Sequence, residues 1–116
     1  MAALPGQAGF VIAGIGSLGA ASIRFAGVES TTLLVEPLEI LSLCGSVTPQ
    51  GAHLHAAVAT ASGSVFGGHL GYGCRIRTTA EVLVAALPEW RLAREHDPAS
   101  GYLELTASRR PARDAD

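Results

Sequence analysis

Apolar residues recur at every second position along much of this 116-residue chain, and glycine or proline punctuates the runs. Period two is the signature of a strand with one buried face, whereas a helix needs apolar residues at three- and four-residue spacing. Gly9 to Ile15 is continuously apolar, which predicts a strand buried on both faces, and Gly16-Ser17 predicts a turn after it. From Ala20 to Phe25, Ala21, Ile23 and Phe25 alternate with Ala20, Ser22 and Arg24, and Gly27 ends the run. Thr31 to Val35 is rich in β-formers and stops at Pro37, and Leu38 to Val47 predicts a strand covered on both sides. After the loop Thr48-Pro49-Gln50-Gly51, His53–Ala59 and Ser64–Leu70 predict a hairpin across Ala61-Ser62-Gly63. Gly67-Gly68 marks a bulge or a close backbone approach. Cys74 to Thr78 is strand-like. Thr79 to Leu87 has helical propensity, but its valines alternate, so a strand is expected. Arg91–His96 and Tyr102–Thr106 are the last strands, joined by the turn Asp97 to Gly101.

The chain is 48% hydrophobic and only 16% charged, enough for one well-filled core, and its length is too short for a second domain. Residues 1–108 are expected to form that domain, and 109–116, with no apolar pattern, a disordered tail. Eight basic side chains, all arginine, against ten acidic ones leave a net charge of −2, which excludes a global positive field drawing the chain to nucleic acid or anionic membrane. Cys44 and Cys74 are too few for a disulfide framework and are expected to be reduced, buried small hydrophobes. No secretory leader and no apolar run of about 18 residues is present, so a soluble cytoplasmic protein is expected.

Two patterns carry chemistry. Gly14-Ile15-Gly16-Ser17-Leu18-Gly19 follows an apolar run and precedes Glu36 by about twenty residues, as in a dinucleotide-binding fingerprint. That fingerprint needs a helix directly after Gly19, but Ala20 to Phe25 alternates and no amphipathic helix follows Pro37; glycines permitting tight turning between strands account for the pattern better.

The second pattern is histidine. His53 and His55 lie two apart, so on a strand they share a face. A two-residue loop at Ser62-Gly63 would put His69 opposite Ala56, on the wrong face, whereas a three-residue loop pairing Thr60 with Ser64 would put it opposite His55. In the second register three imidazoles could close on one cation at roughly 2.0–2.1 Å per bond, suiting zinc or another divalent metal. A polar sheet face, or histidines hydrogen-bonded at a subunit contact, would use the same residues. No carboxylate adjacent in sequence offers itself as a general base, so an enzyme is not supported. His96 is expected at the surface. Arg75 and Arg77 share a strand face and could meet phosphate, although a solvated face or ion pairs with Glu39 or Glu81 explain them as well.

Gly14-Ile-Gly-Ser-Leu18, Leu38-Glu-Ile-Leu-Ser-Leu43 with Gly45, His53-Leu-His55, Gly67-Gly-His69, Arg77-Thr-Thr-Ala-Glu81 and Gly101-Tyr-x-Glu-Leu105 follow one another in an order that resembles the plant and prokaryote conserved (PPC) domain, over about residues 9–106. The resemblance implies an α+β fold with a curved, mainly antiparallel sheet and few helices, assembling as a homotrimer. It implies that Gly14 to Gly19 is a structural turn, and that His53, His55 and His69 form a metal site. It also implies DNA association, though plant members join the domain to an AT-hook and Ser108-Arg-Arg-Pro111 is only a faint echo of one. The strand Leu38, Glu39, Ile40, Leu41 matches one tied to protein partners in plants. Family members carry a further strand and helix ahead of Gly9, where eight residues stand here; lacking them would leave a sheet face bare or covered by a neighbouring subunit. The expectation is a DNA-associated or regulatory protein with a three-histidine metal site. The alternative is a metal-dependent enzyme or small-molecule-binding trimer with its site at the subunit interface.

Overall fold

The computed structural model describes residues 8–111. They form eight strands: β1 Gly9–Arg24, β2 Thr32–Leu34, β3 Leu38–Thr48, β4 Gly51–Ala59, β5 Val65–Leu70, β6 Arg75–Ala86, β7 Trp90–His96 and β8 Leu103–Arg109. All pairings are antiparallel, and there is no helix among the described residues. The fold is therefore all-β, which corrects the α+β class implied by the family resemblance. The physical reason lies in the pattern itself: each run alternates with period two, including Thr79 to Leu87, which lies within β6. Among the described residues no helix is long and apolar enough to cross a membrane. The expected tail overlaps β8 at Arg109, and residues 112–116 lie outside the described residues, as do residues 1–7.

β1 organises the molecule. β2 and β3 pair along one edge of it, β6 and the end of β5 along the other, and β4 bridges β3 to β5, so β1-β3-β4-β5 closes into a ring. Leu18, Ala21, Ile23, Leu38, Ile40 and Val58 fill its interior, with Phe25, Leu34, Leu43, Leu70 and Cys74 packed around them. The turn expected at Gly16-Ser17 does not exist: β1 runs unbroken through it. Its glycines serve close approach instead. A Cβ on Gly14 would lie 2.9 Å from the Leu43 side chain, and one on Gly16 would meet the Thr79 carbonyl oxygen of β6. Register shifts between Val11 and Ala13 and between Leu18 and Ala20 each give β1 an extra residue, whereas the shift between Gly16 and Leu18 puts the extra residues in β6; such bulges let paired strands curve through a closed sheet. A helix after Gly19, which a dinucleotide site needs, is excluded by the same strand.

β7 and β8 form a separate two-stranded sheet. Asp97 caps their turn, its Oδ1 accepting from the Ala99 N–H at 2.8 Å, and Gly101 takes the left-handed conformation there at φ +79°. The hairpin is tied to β3 and its turn by Arg94, whose Nη2 donates to Ser46 Oγ at 2.7 Å and whose backbone N–H donates to Gln50 Oε1 at 3.3 Å.

Candidate metal centre

The β4–β5 hairpin decides the geometry. Thr60 N–H donates to the Ser64 carbonyl at 2.8 Å, Gly63 N–H donates to the Thr60 carbonyl at 2.9 Å, and Gly63 sits at φ +84°. This is the three-residue loop with a left-handed glycine, and it sets Ala59 opposite Val65 and His55 opposite His69. His53 then stands on the same face two residues along β4.

One ligating nitrogen from each of His53, His55 and His69 lies within 4.8 Å of the others. His53 Nε2 and His55 Nε2 are 3.1 Å apart, their rings stacked at 5.2 Å between centroids; the His69 ring stands edge-on to both, at 4.8 and 5.7 Å. Two nitrogens each about 2.05 Å from a tetrahedral ion are separated by about 3.3 Å, so the His53–His55 pair already has a ligand spacing. His69 supplies the third nitrogen, within 4.8 Å of the other two. His69 Nδ1 is buried and has no hydrogen-bond partner. A buried ring nitrogen left without a partner is costly, and a cation at this cluster is a group that would complete the set. Burial, followed by Arg94, His69, His55 and Arg24, pushes His53 below its ordinary range; burial, followed by Arg24, His55 and Arg94, does the same to His69. Both rings therefore favour the neutral form, whose lone pair a metal requires. The three residues fit a zinc-type ion.

The other sequence candidates lie elsewhere. Leu38 and Ile40 point into the core, while Glu39 and Leu41 are exposed. Glu39 and Arg77 both line a cavity of about 120 Å³, together with Leu38 and Thr60. Arg75 and Arg77 are both exposed on β6, and among the described residues neither lies within 4 Å of a carboxylate, so the expected ion pairs with Glu39 or Glu81 are not formed. His96 is exposed. Cys44 is exposed as well, contrary to its expected burial, because the bulge at Leu41 turns Ser42, Cys44 and Ser46 onto the histidine face. Its sulfur is not among the ligand atoms that gather there.

Sequence reading missed the two arginines of the site. Arg24 is the register partner of His69, and Ser46, which holds Arg94, is the register partner of His53. Arg24 carries one legible signal, a charge on the polar side of an otherwise small and apolar strand; Arg94 carries none, because β7 reaches β3 only through the tertiary fold.

A strand ring of this kind is shared with known proteins. The sequence profile of the Plants and Prokaryotes Conserved (PCC) domain, the PPC domain by another abbreviation, matches residues 3–88, and the chain belongs to that family. A hypothetical protein from Salmonella enterica is 38% identical and superimposes with a TM-score of 0.88 over 94% of this chain and 78% of its own. A metal-containing protein from Archaeoglobus fulgidus is 30% identical, TM-score 0.69, over 85% of this chain and 73% of that one. A candidate DNA-binding protein from Bacteroides thetaiotaomicron is 26% identical, TM-score 0.69, over 86% and 73%. Among curated proteins, the bifunctional protein GlmU of two Synechococcus strains is 54% identical over 101 residues, 87% of this chain. The chain spans 16% of the length of those relatives. The family match ends before β7, whereas the Salmonella likeness, at 94% of the chain, reaches into the β7–β8 hairpin that carries Arg94.

Proposed function

We propose that this PCC domain holds a divalent metal ion, zinc by the chemistry of its donors, on His53, His55 and His69. The observation that carries the reading is the convergence of three ring nitrogens within 4.8 Å, one ring having a buried nitrogen without a partner. Such an ion would supply Lewis acidity and an open coordination position; the chain's own contribution is to hold three neutral imidazoles on a rigid hairpin. Support comes also from the metal-containing Archaeoglobus relative. Metal analysis of the purified full chain tests this: about one equivalent of a divalent ion is expected, falling away in His55→Ala, and a metal-free protein that takes up no added zinc contradicts it.

The domain is read as one surface of a homotrimer. Exposed Phe10, Ile15 and Leu83 share one face of the paired strands β1 and β6, an apolar excess that a lone domain of this size does not need. Light scattering should give three times the chain mass. DNA association, after the Bacteroides relative, rests on exposed Arg75 and Arg77 and faces a net charge of −2. A DNA titration in decreasing salt decides it: phosphate-driven binding must strengthen steeply, and none at 20 mM salt removes the reading. Glu39 and Leu41 are the exposed half of the strand tied to protein partners in the plant members.

A further inference from the structure

The charges around the histidine triplet are all of one sign. Arg24 stands directly across the β1–β5 pairing from His69, on the same face. Arg94 approaches from the opposite side, its guanidinium hydrogen-bonded to Ser46 Oγ, the cross-strand neighbour of His53. Among the described residues neither guanidinium lies within 4 Å of a carboxylate.

A dication held by three neutral imidazoles between two guanidiniums would leave about four uncompensated positive charges. Protein metal sites with histidine ligands ordinarily offset such charge with a carboxylate in or beside the ligand set. Here the set offers none, and the thiol of Cys44, opposite His55 in register, does not join the gathered ligand atoms. Among the described residues none supplies a fourth ligand, and the surroundings select the sign of one that arrives from elsewhere. Arginine presents paired N–H donors whose spacing matches the oxygens of a carboxylate or phosphate.

We propose that the centre binds a small molecule through an oxyanion group, carboxylate or phosphate, seated between Arg24 and Arg94 at the open position beside His53, His55 and His69. This rests on the metal reading above. It assigns Arg24 and Arg94 as the specificity-determining pair and makes the β7–β8 hairpin part of the binding site. Metal and oxyanion then bind with positive cooperativity, each offsetting charge that opposes the other, and the coupling is reciprocal.

The test is a cobalt(II) titration of the full chain, followed by the visible spectrum of the bound ion and by calorimetry, in inert buffer and again with 1 mM inorganic phosphate or 10 mM malonate. The affinity for cobalt is expected to rise about tenfold with at least one probe, with a change in the cobalt spectrum. The probe that produces it identifies the ligand as phosphate-bearing or carboxylate-bearing. In Arg24→Gln, an exposed position, the enhancement falls to less than twofold while cobalt affinity without probe does not decrease. Arg94→Gln is expected to do the same, and Arg24→Gln keeps the test valid where loss of the Ser46 contact disturbs the hairpin. Cobalt binding that neither probe strengthens, or enhancement retained in Arg24→Gln, overturns the oxyanion site and leaves the metal site standing. No cobalt binding under any condition overturns both.

Discussion

Gly45 lies on β3 opposite Leu54, between the two metal-candidate histidines of β4, and its backbone takes φ +154°. A Cβ built there would collide with the carbonyl oxygen of His53, well inside ordinary contact, which begins near 3.4 Å. Gly45→Ala must therefore push β4 away from β3, against an inter-strand spacing of about 4.8 Å. That displacement gives up two flanking ladder hydrogen bonds, about 1 kcal/mol net each, and the alanine backbone adds about 1–2 kcal/mol of strain. The expected loss is about 3–4 kcal/mol, or a fall in Tm of roughly 12–16 °C at about 4 °C per kcal/mol for a domain of this length. Gly63→Ala is the control. Its φ of +84° is also unfavourable to alanine, but nothing lies within 4 Å of the added methyl, so only about 1–2 kcal/mol of strain is expected. Urea unfolding of the two variants measures the difference. If Gly45→Ala is no more destabilising than Gly63→Ala, the close β3–β4 approach is not a constraint on the fold and the reasoning fails.

Ile23 is fully buried at the closure of β1 on β5, so Ile23→Ala should cost about 3–4 kcal/mol in the same assay, and a cost under 1 kcal/mol would mean that the ring core is not formed as described. His53 and His69 titrate below their ordinary value in the fold, so the unfolded chain takes up protons first as pH falls. Their contribution is present above about pH 6.5 and is lost as pH drops through the folded values; a His53→Gln/His69→Gln variant should show a flatter acid limb, and a metal-free wild type gaining stability from pH 7.5 to 5.5 relative to that variant would contradict this. Bound metal should also be released on acidification over that range, since protons compete for the same lone pairs, and metal retention unchanged at pH 5 would place the ion on other ligands.

The strands were legible because alternation is local. A half-buried antiparallel strand declares its period within six residues, and nearly every run from Gly9 to Thr106 emerged where alternation or β-rich composition placed it. The hairpin register was legible to within two choices, because only the backbone conformation of Gly63 separates a two-residue from a three-residue loop, and that conformation then fixes whether His69 meets His55. What escaped was non-local. Gly14 to Gly19 looked like a place to turn, since glycine relaxes φ in turns and at close contacts alike; only the packing of Leu43 and of β6 on β1 shows that these glycines make room for neighbours. The α+β expectation failed because it came from the resemblance and not from the residues, whose pattern held no helix. Cys44 was placed in the core by its apolar neighbours, but the bulge at Leu41 shifts the alternation by one residue and turns the thiol outward. The arginines of the site are brought to the histidines by ring closure and by hairpin docking, contacts between residues some forty apart that no local pattern encodes.

The central claim is that His53, His55 and His69 share one metal ion, and a crystal of the full chain grown with zinc, measured on both sides of the zinc absorption edge, tests it most directly. The account predicts a single anomalous peak per chain, present only above the edge and about 2.0–2.1 Å from one nitrogen of each of the three rings. An anomalous map with no peak among the rings, or a zinc ion bound elsewhere while the three histidines keep only their mutual contacts, would contradict it.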